Sequence, residues 1–196
     1  MKKFAFLAVL FAVVAISSLA FAQQGDVALG FGTVMSSGSC NSSGYCPEKG
    51  GLYPAISADV IFHRRIGFEY DVAWRGSQAS YPIFNIPYRP IINAFNADFQ
   101  PKLGKKIGLD ILGGIGVQST RFYSSNYNCN FTGCINYVSS DHFLLDAGAG
   151  LRYYVWHHVF VRPEFRYYWI NNNTNDFSSN NILRVGGSIG YTIGPE

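Results

Sequence analysis

The sequence predicts an all-β protein, an eight-stranded antiparallel up-and-down transmembrane β-barrel. Three observations carry that expectation. Apolar residues recur with a period of two along most of the chain, which is the spacing of a strand with two unlike faces. The residues alternating with them include nearly every mid-strand charge, so the strands have one greasy face and one polar face. Only 14% of the residues are charged while 16% are aromatic, a composition unlike a soluble surface, which is normally laced with charge.

The first 22 residues stand apart from the pattern. MKKFAFLAVLFAVVAISSLAFA begins with Lys2 and Lys3, continues as an apolar run and ends in Ala20-Phe21-Ala22. This is the plan of a secretory signal peptide, with cleavage expected before Gln23. The expected organisation is therefore a signal over residues 1–22 and one barrel domain over 23–196. The residue directly after the cleavage point is Gln23 rather than Cys, which argues against a lipid anchor. Losing Lys2 and Lys3 from 15 basic residues set against 12 acidic ones takes the formal charge from +3 to +1. With no Lys/Arg-rich stripe, nucleic acid is excluded as a partner. Beyond the signal no apolar run is long enough for a spanning helix. A chain of this kind crosses a membrane only as a closed barrel.

The strands follow in order. Val27, Leu29, Phe31, Thr33 and Met35 alternate with Ala28, Gly30 and Gly32. Ile56, Ala58, Val60 and Phe62 alternate with Ser57, Asp59 and Ile61. Ile66, Phe68, Tyr70, Val72 and Trp74 alternate with Gly67, Glu69, Asp71, Ala73 and Arg75. Ile91, Phe95, Ala97 and Phe99 alternate with Asn96, Asp98 and Gln100. Ile107, Leu109, Ile111, Ile115 and Val117 alternate with Gly108, Asp110, Gly114, Gly116 and Gln118. Phe143, Leu145, Ala147, Ala149, Leu151, Tyr153 and Val155 alternate with Asp146, Gly148, Gly150 and Arg152. Val159, Val161, Pro163, Phe165, Tyr167 and Trp169 alternate with Arg162, Glu164 and Arg166. Leu183, Val185, Ile189, Tyr191 and Ile193 alternate with Arg184, Gly186, Ser188 and Gly190. Most of these runs reach the roughly 9 residues that a tilted spanning strand needs.

The connections alternate in length. Short ones fall at residues 63–65, 103–106 and 156–158. Longer ones, rich in Ser, Asn, Gly and Pro, fall near 36–51, 78–89, 123–140 and 171–180. An even strand number with short turns at one end and long loops at the other is the layout of an outer-membrane barrel, short turns periplasmic and long loops extracellular. Aromatics gather near strand ends: Phe62, Phe68, Phe99, Trp156 and Phe160 toward the short turns, Trp74, Tyr81, Tyr88, Phe122, Tyr123 and Trp169 toward the long loops. Girdles at the two membrane interfaces are expected from them, with Trp74, Trp156 and Trp169 as their tryptophans.

The charged face identifies the lipid side. Asp59, Glu69, Asp71, Asp98, Asp110, Asp146 and Glu164, with Arg75, Arg152, Arg162, Arg166 and Arg184, lie opposite the apolar set. A soluble binding barrel has the reverse polarity, an apolar interior and a charged exterior. A membrane barrel keeps its polar side inside. Charges shut in a narrow lumen must pair or accept hydrogen bonds, and the planar multi-donor fork of Arg suits that task. The same residues are thus the expected lumen polar network. Eight strands enclose a space that side chains fill, so a wide pore is not expected.

On this pattern the chain resembles the small outer-membrane barrels of the OmpA/OmpX/OmpW-like superfamily, over essentially its whole length past the signal. In such families the last strand carries the assembly signal, and Arg184-Val185-Gly186-Gly187-Ser188-Ile189-Gly190-Tyr191 is similar to it. The chain then runs Ile193-Gly194-Pro195-Glu196, without the usual terminal aromatic. The resemblance implies the cell outer membrane of a Gram-negative bacterium, insertion by the outer-membrane assembly machinery, and contact with lipid and lipopolysaccharide.

Cys40 and Cys46 have five residues between them, Cys129 and Cys134 four, both within Gly/Ser/Asn-rich segments. In an exported chain such an even set reads as disulfides. Of three possible connectivities, Cys40–Cys46 with Cys129–Cys134 is preferred over a zinc site, whose spacings would be tighter. Neither metal nor cofactor is expected. Gly186-Gly187-Ser188-Ile189-Gly190 spells G-x-S-x-G without the strand–turn–helix context a nucleophile elbow needs. His142 with Ser139 or Ser140 and Asp141 is the local candidate for lipid-modifying catalysis, yet neighbours on one strand point to opposite faces. His63, His157 and His158 fall at turns. No catalysis is therefore expected. The expected role is a structural or surface-interaction barrel whose disulfide-stapled loops meet a ligand. A narrow channel for ions or small molecules is the alternative.

Overall fold

The computed structural model describes residues 24–63, 65–80, 85–130 and 133–194. The expected signal peptide, Tyr81 and the middle of the 78–89 connection lie outside the described residues. Eight long strands make the fold: β1 (Gln24–Met35), β2 (Tyr53–His63), β3 (Ile66–Trp74), β4 (Pro87–Phe99), β5 (Ile107–Asn130), β6 (Gly133–Trp156), β7 (Val159–Ile170) and β8 (Asn181–Ile193). A two-residue strand, Ala79–Ser80, pairs with Pro87 and Tyr88 at the start of β4.

Each strand pairs antiparallel with its neighbour in sequence, and β1 pairs with β8 from Gly25↔Ile193 to Met35↔Leu183. The sheet therefore closes on itself and leaves no free edge, the one sheet form whose backbone groups are all satisfied within lipid. No described helix is long and apolar enough to cross a membrane.

The phase of the alternation is the one read from the sequence. Leu29, Phe31, Ile66, Phe95, Ile115, Phe165 and Ile189 project outward and are between half and two-thirds exposed, while Asp59, Glu69, Asp71, Asp98 and Asp110 on the other phase are at most 3% exposed. A soluble fold could not leave so wide an apolar band uncovered. Two of the aromatics expected near the interfaces turn inward instead. Phe160 shares the phase of Arg162 and Tyr88 that of Ile92, so both rings are buried inside the barrel.

Glycines on the inner phase of β6 make room for the arginines of β7. A Cβ on Gly150 would stand 3.0 Å from the Arg162 side chain, and one on Gly148 3.1 Å from that of Arg166. Elsewhere the constraint is backbone: at Gly67 a Cβ would fall 2.2 Å from the Val60 carbonyl oxygen.

One expected loop is not a loop. Residues 123–130 and 133–140 continue β5 and β6 as a two-stranded hairpin, with Tyr123↔Tyr137, Asn128↔Ile135 and Cys129↔Cys134 in register across an irregularity between Tyr123 and Asn128. Each of these strands has 24 residues, about 80 Å at roughly 3.4 Å per residue. A spanning strand needs about 9–11 residues, so the hairpin stands well clear of the lipid. Its Ser/Asn-rich sequence lacks alternation because both faces meet water, and pairing rather than composition keeps it extended. The Cys129–Cys134 disulfide crosses its tip, and Cys40–Cys46 closes the loop between β1 and β2.

Candidate functional site

The candidate site is the barrel interior and its long-loop mouth. Strand direction sets the order of its layers. β1, β3, β5 and β7 run toward the long loops and the others run back, so Asp26, Asp59, Asp98, Asp110 and Arg152 come together near the short turns. Glu69, Arg162, Asp146 and Arg166 fall above them, then Asp71 and Arg184.

Four arginines tie this half together. Arg152 reaches Asp26, Asp110 at 3.2 Å and Asp59 at 3.5 Å, with its guanidinium 4.2 Å above the Phe160 ring. Arg162 meets Glu69 at 3.2 Å, Asp110 at 3.1 Å and Glu164 at 3.1 Å, and donates to the Ser57 and Ser188 hydroxyls. Arg166 pairs with Glu69 at 2.6 Å and Asp146 at 3.2 Å. Arg184 grips Asp71 through two hydrogen bonds of 2.9 and 3.1 Å and reaches Glu164 at 3.1 Å. The side chains of Arg152, Arg162 and Arg166 are at most 2% exposed. A lumen holding three buried guanidiniums is filled, as the diameter of an eight-stranded barrel requires.

The sequence-derived set is not one cluster. Asp98 takes a 2.6 Å hydrogen bond from Gln100. Arg75 lies apart at the long-loop end, donating to the Lys49 carbonyl at 3.4 Å with the Tyr53 and Tyr88 rings 6.0 and 5.9 Å away. Trp156 is 71% and Trp169 38% exposed on the outer surface, and Trp74 is half-buried.

Two buried acids escaped the sequence reading. Asp26 sits one residue ahead of the first apolar alternant, in phase with Ala28 and Gly30, and that phase was its available signal. Glu48 lies in the β1–β2 loop, where periodicity says nothing. With Asp26 included, eight carboxyl groups (Asp26, Asp59, Glu69, Asp71, Asp98, Asp110, Asp146 and Glu164) share the inner network with four arginines among the described residues. Asp59, Asp98, Asp110 and Asp146 each leave one carboxylate oxygen without a hydrogen-bond partner among them.

Above the charges the interior changes character. Val34, Tyr53, Ala55, Ala73, Ile92, Ala94, Leu144, Tyr168, Ile170 and Ile182 form a buried apolar ring. The arginine–carboxylate network thus occupies the short-turn side of the lumen, while the long-loop side is mainly apolar with Gln118, Thr120 and Arg75 buried among it. The β1–β2 loop folds down over the ring. Glu48 is fully buried, accepting from the Tyr53 hydroxyl and from Gln118 at 3.1 Å. Burial pushes its carboxyl above the ordinary value of 4.5, with the Tyr53 and Gln118 hydrogen bonds and Arg75 acting in opposition. Phe177, from the β7–β8 connection, packs against Tyr88 at 5.2 Å with Tyr45, Ala79 and Phe122 around them. Ser178 N donates to the Cys46 carbonyl at 3.3 Å, so two long loops close on each other across the mouth.

The His142 candidate takes a different form from a relay. Ser140 stands 3.0 Å and Asp176 2.7 Å from His142, and both meet Nε2. A relay needs the acid on one ring nitrogen and the nucleophile on the other. Asp141 is exposed on the opposite face. Ser188 accepts from Arg162 Nε at 3.2 Å inside a strand that runs on to Ile193, not at a strand-to-helix turn. Among the described residues no group of three His, Cys, Asp or Glu side chains is arranged to hold a metal ion.

A closed eight-stranded antiparallel barrel with an apolar exterior and an ion-paired interior defines a transmembrane barrel of the outer-membrane type. The chain belongs to the outer membrane protein beta-barrel domain family, which it matches over residues 6–192, and its place is the cell outer membrane. Three solved structures show the same fold. Ail, the attachment invasion locus protein of Yersinia pestis, in complex with the heparin analogue sucrose octasulfate, is 14% identical, with a TM-score of 0.57 over 87% of this chain and 98% of Ail. Neisserial surface protein A is 11% identical, with a TM-score of 0.61 over 86% of this chain and 95% of its own. The N-terminal β-barrel domain of Pseudomonas aeruginosa OprF is 10% identical, with a TM-score of 0.54 over 88% and 98%. No curated protein sequence matches the chain.

Proposed function

We propose that the protein is a non-enzymatic outer-membrane barrel that acts through its extracellular loops, and above all through the β5–β6 hairpin, on a ligand outside the cell. The hairpin itself carries this reading. Two strands of 24 residues, stapled at the tip, project far past what spanning requires, while the lumen beneath is packed with side chains. A chain that only filled the membrane would gain nothing from the extension. The Ail structure holds a heparin analogue, which supports ligand capture as a use of this architecture. The described long-loop surface here carries Lys49, Arg89 and Arg121 beside Asp141 and Asp176. That mixture favours a ligand held by shape and aromatic contact, such as Arg121 over Tyr137 at 4.9 Å, over a strongly anionic one. Insertion by the outer-membrane assembly machinery and contact with lipopolysaccharide belong to the same proposal.

The test is a variant whose hairpin is cut back to a short turn beyond Phe122 and Val138. The expected result is an intact, heat-modifiable barrel on an unboiled gel that has lost adhesion of expressing cells to host cells or matrix. Unchanged adhesion would overturn the role of the hairpin. Discrete single-channel openings from pure protein in planar bilayers would instead favour the narrow channel.

A further inference from the structure

We propose that the short-turn end of the barrel is a docking collar for anionic phospholipid headgroups of the inner leaflet. This rests on the short turns facing the periplasm, as the layout of such barrels requires. The β2–β3 turn presents Arg65, and the β4–β5 turn presents Lys102, Lys105 and Lys106, all exposed. None of the four has an ion-pair partner among the described residues. Among the described residues the acids at this end give no counter-charge to the surface, because Asp26, Asp59, Asp98 and Asp110 are all inside the barrel and at most 3% exposed.

The turns are held in a fixed relation. Gln100 N donates to the Arg65 carbonyl at 2.7 Å, joining the first turn to the second. Tyr154 N donates to the Lys106 carbonyl at 2.9 Å, joining the second to β6. Leu103 N and Gly104 N both donate to the Ile107 carbonyl, which curls the lysine turn back on its own strand. The four cations therefore occupy one arc of the rim.

Apolar side chains interrupt that arc at the edge of the lipid-facing band. Leu103, between Lys102 and Lys105, is 63% exposed, Ile66 beside Arg65 is 59% exposed, and Trp156 at the end of β6 is 71% exposed. Ammonium groups alternating with apolar and indole side chains suit the boundary between acyl chains and phosphates, where the stem or ring lies in lipid and the charge meets the headgroup. A soluble partner would meet the same cations without needing Leu103 and Trp156 level with the lipid band. The opposite end differs, since its cations are interspersed with Asp141 and Asp176.

The experiment is native mass spectrometry of the folded barrel released from micelles containing equal amounts of phosphatidylglycerol and phosphatidylethanolamine. Wild type, a Lys102→Gln/Lys105→Gln/Lys106→Gln variant, the corresponding Lys→Arg variant and Lys49→Gln at the far end are compared, each first shown closed by its unboiled gel mobility. The expected result is retention of phosphatidylglycerol over phosphatidylethanolamine by on the order of tenfold or more in wild type. That preference should persist in the Lys→Arg and Lys49→Gln proteins and collapse in the Lys→Gln triple variant. Equal retention of the two lipids by wild type, or a preference surviving the triple Gln change, would overturn the proposal. The collar would then belong to a periplasmic macromolecule.

Discussion

The same eight strands line both halves of the barrel interior, yet the halves are held shut by different forces. Near the short turns, four arginines bridge acids drawn from six of the eight strands, and each guanidinium serves more than one carboxylate. Near the long loops, Val34, Ile92, Leu144, Ile170 and Ile182 pack as an ordinary apolar core beneath a lid of loop residues. The difference lies in how each half fails. An apolar layer loses contacts in proportion to what is removed. An ion-paired layer loses compensation, because one missing cation leaves several buried anions unpaired. The short-turn half is therefore the lock, and the long-loop half is the part that can open without the barrel coming apart.

The largest effect should come from Arg162→Ala. It strips Glu69, Asp110 and Glu164 of a shared partner, and breaking a buried pair from one side costs about 3–5 kcal/mol. Urea titration in lipid vesicles, followed by the fraction of heat-modifiable protein, measures it. A loss under about 1 kcal/mol would mean that water or rearranged neighbours already screen these charges, and the contrast between the halves would fall.

A smaller and local effect should follow Phe177→Ala. The ring is fully buried against Tyr88, and truncating a buried Phe costs about 3 kcal/mol at the low end of its range. The cost should fall on lid docking alone. Backbone hydrogen exchange should accelerate in residues 41–51 and 172–180 while the strands and the urea midpoint of the barrel stay unchanged. A shifted midpoint would show that lid and barrel unfold together.

Glu48 makes the lid sensitive to pH. Burial raises its carboxyl above the ordinary 4.5 in the docked state, so the undocked loop gives up its proton first as pH rises. Docking strength is then complete below about pH 4.5 and declines as pH climbs through the docked value. Exchange of residues 41–51, corrected for intrinsic rates, should increase over that range, and Glu48→Gln should flatten the profile. A wild-type profile already flat would mean that Tyr53, Gln118 and Arg75 cancel the effect of burial.

What the sequence revealed and what it hid follow the same division. Where one face meets lipid and the other meets charge, as in Ile66 to Trp74, each residue type declares its side, and strand, phase and polarity were all legible. Near the long loops that contrast disappears. Ile91-Ile92, Phe143-Leu144-Leu145 and Trp169-Ile170 are apolar on both phases, so the apolar ring was invisible to a period-two reading. The hairpin beyond Tyr123 was hidden for the opposite reason, being polar on both faces. Glu48 is placed by loop folding and Asp176 by contact with a histidine 34 residues away, and neither follows from local pattern. Both cysteine pairs were legible because short spacing in an exported chain leaves few alternatives.

The smallest expected effect, and the one of opposite sign to Arg162→Ala, belongs to Asp98→Asn. Asp98 is among the acids of a network where carboxyl groups outnumber arginines, and its neighbours Asp110 and Glu69 carry the same charge. It has no ion pair among the described residues, and its hydrogen bond comes from the neutral Gln100 amide. An Asn side-chain oxygen can accept that bond equally well. Removing the charge therefore removes repulsion without breaking a pair. The urea midpoint should stay level or rise, by no more than about 1 kcal/mol in stability. A marked fall would mean that Asp98 is held as an anion by a cation it does not touch directly. The short-turn half would then be balanced by longer-range charge rather than by the four arginine bridges.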